Sequence, residues 1–176
     1  MKKIITIGGS TSQKSINKQL AEHVGGLVEG VEVLKLDLND YKMPIFSIDI
    51  ENEQGFSKGI NDLNDLVDTA DGFVISLAEH NGAYSAAFKN AFDWLSRING
   101  KVWREKPVLL LSTSPGARGG QSALEIAEKR FPYNGAKIVG SMAFPSFFDN
   151  FRDDRIVNTE LKEQVLGMVD RFKKEL

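Results

Sequence analysis

Short apolar runs and amphipathic segments alternate five times along this chain, and that alternation restricts the fold more than any other feature. The run Ile4-Ile5-Thr6-Ile7 is β-branched, as short as a buried strand, and stops at Gly8-Gly9. From Ser15 onward, Ile16, Leu20, Ala21, Val24, Leu27 and Val28 fall at helical spacing, and Gly25-Gly26 weakens the end of that helix. Val31–Leu36 reads as the second strand. Asp37–Gly55 has no clear period and carries Pro44, so it reads as a loop with room for one helical turn. Phe56, Ile60, Leu63, Leu66, Val67 and Ala70 mark a second helix, and Gly72–Leu77 a third strand apolar enough to be covered on both faces. A third helix runs through Tyr84, Ala87, Phe88, Ala91 and Leu95, and Pro107–Leu111 is the fourth strand. Ala123, Leu124, Ala127, Arg130 and Phe131 lie on a fourth helix, and Ile138 and Val139 in a fifth strand. Leu161, Val165, Met168, Val169 and Phe172 belong to a last helix.

Strand-helix alternation of this kind predicts an α/β fold with a parallel sheet and helices on both faces. Right-handed crossovers then leave only a few doubly wound arrangements. No internal repeat or low-complexity segment breaks the pattern, so residues 1–176 read as one domain. The chain has no cysteine, which excludes disulfides, thiolate nucleophiles and cysteine-ligated metals, and His23 and His80 alone do not make a histidine-rich zinc site. Asp37–Asp71 is markedly acidic, opposed only by Lys42 and Lys58, and the net charge is −2. That is the reverse of the basic face with which proteins displace counterions from phosphates, so nucleic acid and anionic membrane are not expected partners. No apolar stretch is long enough to form a signal-peptide core or to span a bilayer, and a cytoplasmic location is expected.

In doubly wound sheets ligands bind beyond the carboxyl ends of the strands, where strand order reverses. Attention therefore falls on the loops after the first, third and fourth strands. The first reads Gly8-Gly9-Ser10-Thr11-Ser12-Gln13-Lys14-Ser15-Ile16-Asn17 and opens a helix, whose unpaired N–H groups and dipole attract an anion. The hydroxyls of Ser10, Ser12 and Ser15 and the Asn17 amide can add hydrogen bonds to phosphate oxygens; serines that merely cap the helix explain the loop as well. It is neither GxGxxG nor the Walker pattern. The second loop, Leu77-Ala78-Glu79-His80-Asn81-Gly82-Ala83-Tyr84, can offer backbone groups to a heteroaromatic edge, and His80 can stack on a flat ring or stand as a surface histidine. The third, Ser112-Thr113-Ser114-Pro115-Gly116-Ala117-Arg118-Gly119-Gly120, has glycines that let a ligand approach the backbone, a helix start with free donors, and in Arg118 a cation for a phosphate or a carbonyl. A generic turn with a solvated arginine explains part of it.

Together the three loops resemble the NAD(P)H-dependent FMN reductase family of the flavodoxin-like superfamily. The resemblance runs from Lys3 to about Phe147 and rests on three segments in the right order. They are Gly9-Ser10 through Ser15-Ile16-Asn17, then Ala78-Glu79-His80-Asn81-Gly82 leading to Phe88-Lys89-Asn90-Ala91-Phe92-Asp93-Trp94, then Ser114–Gly120. Ser12 stands where many members have arginine, with Lys14 nearby as a substitute charge; Ala78 replaces a proline and His80 a tyrosine, and Ser85-Ala86 replace Pro-Gly.

The resemblance implies a flavodoxin-like three-layer sandwich with a five-stranded parallel sheet of order 2-1-3-4-5, bound FMN, and NAD(P)H as electron donor. It implies that Ser10, Ser12, Ser15, Ile16 and Asn17 hold the FMN phosphate. The isoalloxazine would lie against Ala78, Glu79, His80, Asn81 and Gly82 and against Ser114, Pro115, Gly116, Arg118, Gly119 and Gly120. Hydride would pass by a ping-pong route through flavin N5 to a small-molecule acceptor such as a quinone, an azo dye, a metal oxyanion or free flavin. The hard chemistry belongs to the flavin, so no catalytic acid, base or nucleophile and no metal is assigned, and Glu79 and Asp93 read as structural. A homodimer or homotetramer is implied, with Lys89–Trp94 near the subunit interface. A flavodoxin-type carrier or redox sensor, or a flavin-free scaffold of the same fold, are the alternatives.

Overall fold

The alternating runs become a parallel five-stranded sheet in the computed structural model, which describes residues 1–176. In chain order the elements begin β1 (Lys2–Gly9), α1 (Ile16–Gly26), β2 (Val31–Leu36), α2 (Ile48–Gln54), α3 (Lys58–Asp68) and β3 (Gly72–Leu77). They continue with β4 (Glu79–His80), β5 (Ala83–Tyr84), α4 (Ala86–Ile98), β6 (Lys106–Thr113), α5 (Gln121–Arg130) and β7 (Ala136–Phe144). The chain ends with α6 (Phe147–Asn150), β8 (Phe151–Arg152), β9 (Arg155–Ile156) and α7 (Thr159–Glu175). The sheet order is β2-β1-β3-β6-β7, every pair parallel, with β4-β5 and β8-β9 as separate antiparallel hairpins. Counting only strands of the main sheet, this is the 2-1-3-4-5 order of a flavodoxin-like fold.

Period-two alternation divides the core between the two faces. In β1, Ile5 and Ile7 join Phe73, Ile75 and Leu110 under α3, α4 and α5, where Leu63, Phe88, Phe92 and Leu124 cover them. Ile4 joins Val74, Leu109 and Leu111 on the other face, under Leu20 and Val24 of α1 and Val165 and Phe172 of α7. Strands β3 and β6 are buried almost throughout because they lie inside the sheet with helices on both sides. Val108 pairs with Ile138 and Leu109 with Gly140, so Val139 is the extra residue of a bulge in the edge strand β7.

Several expectations are corrected. The Asp37–Gly55 loop contains a 3-10 turn at Leu38–Asp40 and the two-turn helix α2, capped by Ser47 with Asp49 and Glu51 in its first turn. Helix α2 buries none of its residues, so it has no apolar stripe for periodicity to detect. It is tied instead by Arg97 of α4, whose guanidinium donates to both Glu51 carboxylate oxygens at 2.7 and 3.1 Å. Tyr84 belongs to β5 and not to the third helix, and Phe56 and Ala70 lie outside α3. Phe131 leaves α5 for a 3-10 turn, Phe131–Asn134, because Pro132 has no N–H to continue the α-helical ladder.

The face of α1 away from the sheet carries a pH-sensitive contact. His23 meets the Phe151 ring edge-on at 5.3 Å, and burial there lowers its pKa below the ordinary 6.5, against the Asp154 carbonyl that favours the cation. A base with a depressed folded pKa binds fewer protons folded than unfolded. Its contribution is therefore present above the unfolded value and is lost as pH falls through 6.5. Between about pH 7.5 and 5.5 the wild type is expected to lose more stability than His23→Gln. Urea unfolding at both pH values checks this, and equal losses in the two proteins would disprove the role of His23.

Candidate functional site

Between β1 and β3 the sheet order reverses, since the chain winds from β1 outward to β2 and then back across to β3, β6 and β7. A cleft of about 240 Å³ opens at the carboxyl ends there, lined by the ends of α1, β4 and the loop after β6. Ser10, Ser12, Ser15, Ile16 and Asn17 form one side of it. Ala78, Glu79 and His80 form a second, and Ser114 and Pro115 a third.

The first side is a helix start with donors to spare. Ser15 caps α1, its Oγ accepting the Lys18 N–H at 3.1 Å, and Ser10 Oγ accepts the Ser12 N–H at 3.1 Å. Capping uses only the acceptor side of these hydroxyls, so both retain an O–H to donate. The Ile16 and Asn17 N–H groups, the orphans of a first helical turn, also have no partner within the chain. Lys18 is committed elsewhere: its bond to Asp37 raises its pKa above the ordinary value. Lys14 on the cleft wall makes no ion pair with the chain, and it is therefore the free cation of this loop.

The Asn17 amide also ties three elements together. Its Oδ1 accepts the Ser76 hydroxyl at 2.7 Å and the Thr113 N–H at 3.0 Å, and its Nδ2 donates to the Thr113 carbonyl at 3.1 Å. The side chain is buried and ties the start of α1 to the ends of β3 and β6. Its backbone N–H and the second N–H of Nδ2 remain for a ligand.

The second loop is a hairpin. Asn81 and Gly82 carry φ of 53° and 77°, the positive pair a type I′ turn requires, and Glu79 pairs with Tyr84 across it. Asn81 and Gly82 make the tip and do not line the cleft. His80 is exposed on the cleft wall. The Glu79 carboxylate reaches α5, where one oxygen accepts the N–H groups of Ser122 at 2.9 Å and Ala123 at 3.3 Å. The helix start of the third loop therefore has its donors occupied, contrary to expectation. Asp93, on α4, pairs with Lys89 one turn away at 2.7 Å.

Gly116, Arg118, Gly119 and Gly120 also stay off the cleft wall. Arg118 donates to Ser122 Oγ at 3.2 Å on the outside of α5. Gly119 has a packing reason to be glycine: at φ 58°, a Cβ there would lie 2.6 Å from the Phe144 carbonyl oxygen. The loop is latched to the end of β7 by Ser146 N–H to the Gly116 carbonyl and Phe147 N–H to the Ser114 carbonyl, at 3.0 and 3.1 Å.

Two lining residues, Thr113 and Phe148, were not foreseen. Phe148 follows the fifth strand of the sheet and is 61% exposed at the cleft. The rule that ligands meet the carboxyl ends covers that loop too, and applying it to all five strands would have found it. Ser85, standing where Pro-Gly was expected, caps α4 by accepting the Phe88 N–H at 3.1 Å and donates to the Gly9 carbonyl at 2.7 Å.

Comparison with known proteins adds a family. The model of the NADPH-dependent FMN reductase family matches residues 2–149. The quinone reductase of Escherichia coli strain K12 is 30% identical over 117 residues, 66% of this chain and 62% of that protein, so the chain matches less than two thirds of that relative's length. The probable NADPH:quinone oxidoreductase 1 of rice is 26% identical over 174 residues, covering 93% of this chain and 86% of that one. The structure of FerB, a flavoenzyme NAD(P)H:(acceptor) oxidoreductase from Paracoccus denitrificans, has the same fold at a TM-score of 0.79 and 24% identity. It covers 99% of this chain and 97% of that one.

Proposed function

Because the chain belongs to the NADPH-dependent FMN reductase family, we propose that the cleft at the switch point holds FMN and that the protein passes electrons from NAD(P)H to a small-molecule acceptor. The observation that carries this reading is the unpaired donor set at the start of α1. Ser10, Ser12 and Ser15 hydroxyls, the Ile16 and Asn17 N–H groups and the Lys14 ammonium are all donors. A phosphate monoester is all acceptor and carries about two negative charges, so the donor set fits it. Glu79, the carboxylate on the cleft wall, turns one oxygen to the N–H groups that open α5.

On this reading Ala78–His80 and Ser114-Pro115 are the walls that orient the flavin ring, and both belong to short loops anchored on the sheet ends. Bound FMN supplies a two-electron carrier between the reduced nicotinamide and the acceptor. The chain supplies position: Asn17 and Ser85 hold the loop ends together, and no side chain is needed as acid, base or nucleophile. Quinones and azo compounds are the acceptor classes we infer, supported by relatives named quinone reductase and NADPH azoreductase. Assembly as a homodimer or homotetramer belongs to the same reading, with Ile45 and Ile48 offering exposed apolar surface at 83% and 49%.

Visible absorption of the purified protein and a fluorescence titration with FMN test the proposal. Flavin bands, or saturable quenching of added FMN, support it; a colourless protein that leaves FMN fluorescence unchanged refutes it. The phosphate assignment has its own test. Ser12→Arg, which puts a guanidinium on the cleft wall, is expected to lower the FMN dissociation constant about tenfold. An unchanged constant would remove the phosphate from this loop.

A further inference from the structure

Helix α5 begins without a cap of its own. Gly120 occupies the N-cap position and has no side chain to accept an N–H, there is no acidic residue in the first turn, and the Ser122 hydroxyl is engaged by Arg118. The first-turn donors are met instead by Glu79, 43 positions upstream of Ser122 on the hairpin. A carboxylate at that end also suits the helix dipole.

The partner in this bond is a weak element by itself. The β4-β5 hairpin has two pairs of residues, too few to hold a conformation in water alone. Tyr84 roots one strand in the core beside Phe88 and Phe131, at ring distances of 5.4 and 6.2 Å. The other strand, which follows Ala78 and carries His80 on the cleft wall, is tied to the start of α5 at Glu79. The same bond crosses to the helix that opens directly from the Ser114–Gly120 loop. Glu79 thus spans two of the three sides of the cleft.

We propose that Glu79 is a positioning residue that sets the separation of the two ring-side walls, so that a planar flavin is gripped between the Ala78–His80 segment and Ser114-Pro115. This rests on the reading of the cleft as an FMN site and adds to it which side chain fixes the ring's slot. Length and acceptor character are what the role demands of the residue, and formal charge is secondary. Glutamine keeps the reach and one carbonyl acceptor. Aspartate keeps the charge but is one methylene short of the α5 donors.

Four proteins decide it: wild type, Glu79→Gln, Glu79→Ala and Glu79→Asp, each titrated with FMN and each examined without flavin by amide hydrogen exchange. Glu79→Gln is expected to bind FMN within about threefold of wild type, whereas Glu79→Ala and Glu79→Asp weaken it about tenfold or more. Their bound flavin should also show altered visible circular dichroism, which a loss of global stability alone would not move. Without flavin, the Ser122 and Ala123 amides should exchange faster in Glu79→Ala and Glu79→Asp and remain protected in Glu79→Gln. Equal FMN affinity in all four proteins overturns the proposal, as does a Glu79→Gln variant as weak as Glu79→Asp. Should Glu79→Ala not fold, the contrast between the Gln and Asp variants still decides. A wild type that ignores FMN overturns the cofactor reading itself, and the exchange data then report on the cap separately.

Discussion

Asn17→Ala is expected to lower the unfolding free energy by about 3 kcal/mol and to weaken FMN binding about tenfold or more. The change removes the shared acceptor of the Ser76 hydroxyl and the Thr113 N–H, along with the donor to the Thr113 carbonyl. All three partners are buried where the sheet ends meet α1. Each buried polar group left without a partner costs on the order of 1–3 kcal/mol, far more than the net worth of an average hydrogen bond. Binding suffers because α1 is no longer held against β3 and β6, and the Ile16 and Asn17 N–H groups lose their fixed aim. Asn17→Asp keeps the acceptor but sets a buried carboxylate oxygen against the Thr113 carbonyl, and should recover less than half of the stability loss. Urea unfolding and FMN titration on the same preparations check both effects. A midpoint within error of wild type would show that the three hydrogen bonds are not what joins these elements.

The largest loss of stability is expected from Phe131→Ala, about 4 kcal/mol. Phe131 is fully buried at the meeting point of four aromatic rings: Trp103 at 4.7 Å, Phe92 at 5.5 Å, and Tyr84 and Phe88 each at 6.2 Å. Removing its ring forfeits the transfer energy of the side chain and leaves a cavity that rigid aromatic neighbours cannot collapse into. Phe131→Leu refills much of that space and should cost about half as much. The check is a drop in the denaturation midpoint at constant m-value. A loss below about 1.5 kcal/mol for alanine would mean that the neighbours repack.

Phe131 also illustrates what a linear reading can and cannot deliver. Its place on a buried face follows from spacing with Ala123, Leu124 and Ala127, since one face of a helix must be apolar to leave water. That it leaves the α-helix and becomes the hub of an aromatic cluster depends on Phe88, Phe92 and Trp103, which arrive from other parts of the chain. The strands inside the main sheet and the helices packed on it were legible because each buries an apolar run or stripe, and the edge strands were read from their β-branched residues. Helix α2 and the β8-β9 hairpin were not, because neither is long enough, or buried enough, to impose a period. The β4-β5 hairpin was within reach: Asn81-Gly82 is the dipeptide that a type I′ turn favours.

The candidate site divides in the same way. Local chemistry determined the α1 end of the cleft, because an N-cap serine, a first helical turn and a neighbouring lysine all lie within Ser10–Asn17. The sequence by itself thus determined the fold class, the order in which loops meet the carboxyl ends, and the serine-rich donor set. Only the tertiary structure decided that Asn17 spends its side chain on Thr113 and Ser76, that Glu79 caps α5, and that Gly119 exists to clear the Phe144 carbonyl. The physical reason is range. Helix starts, turns and apolar stripes are governed by residues a few positions apart, so the sequence displays them directly. A buried polar atom must be satisfied by whatever donor or acceptor the folded chain brings near, and here those partners stand 43 to 96 positions away.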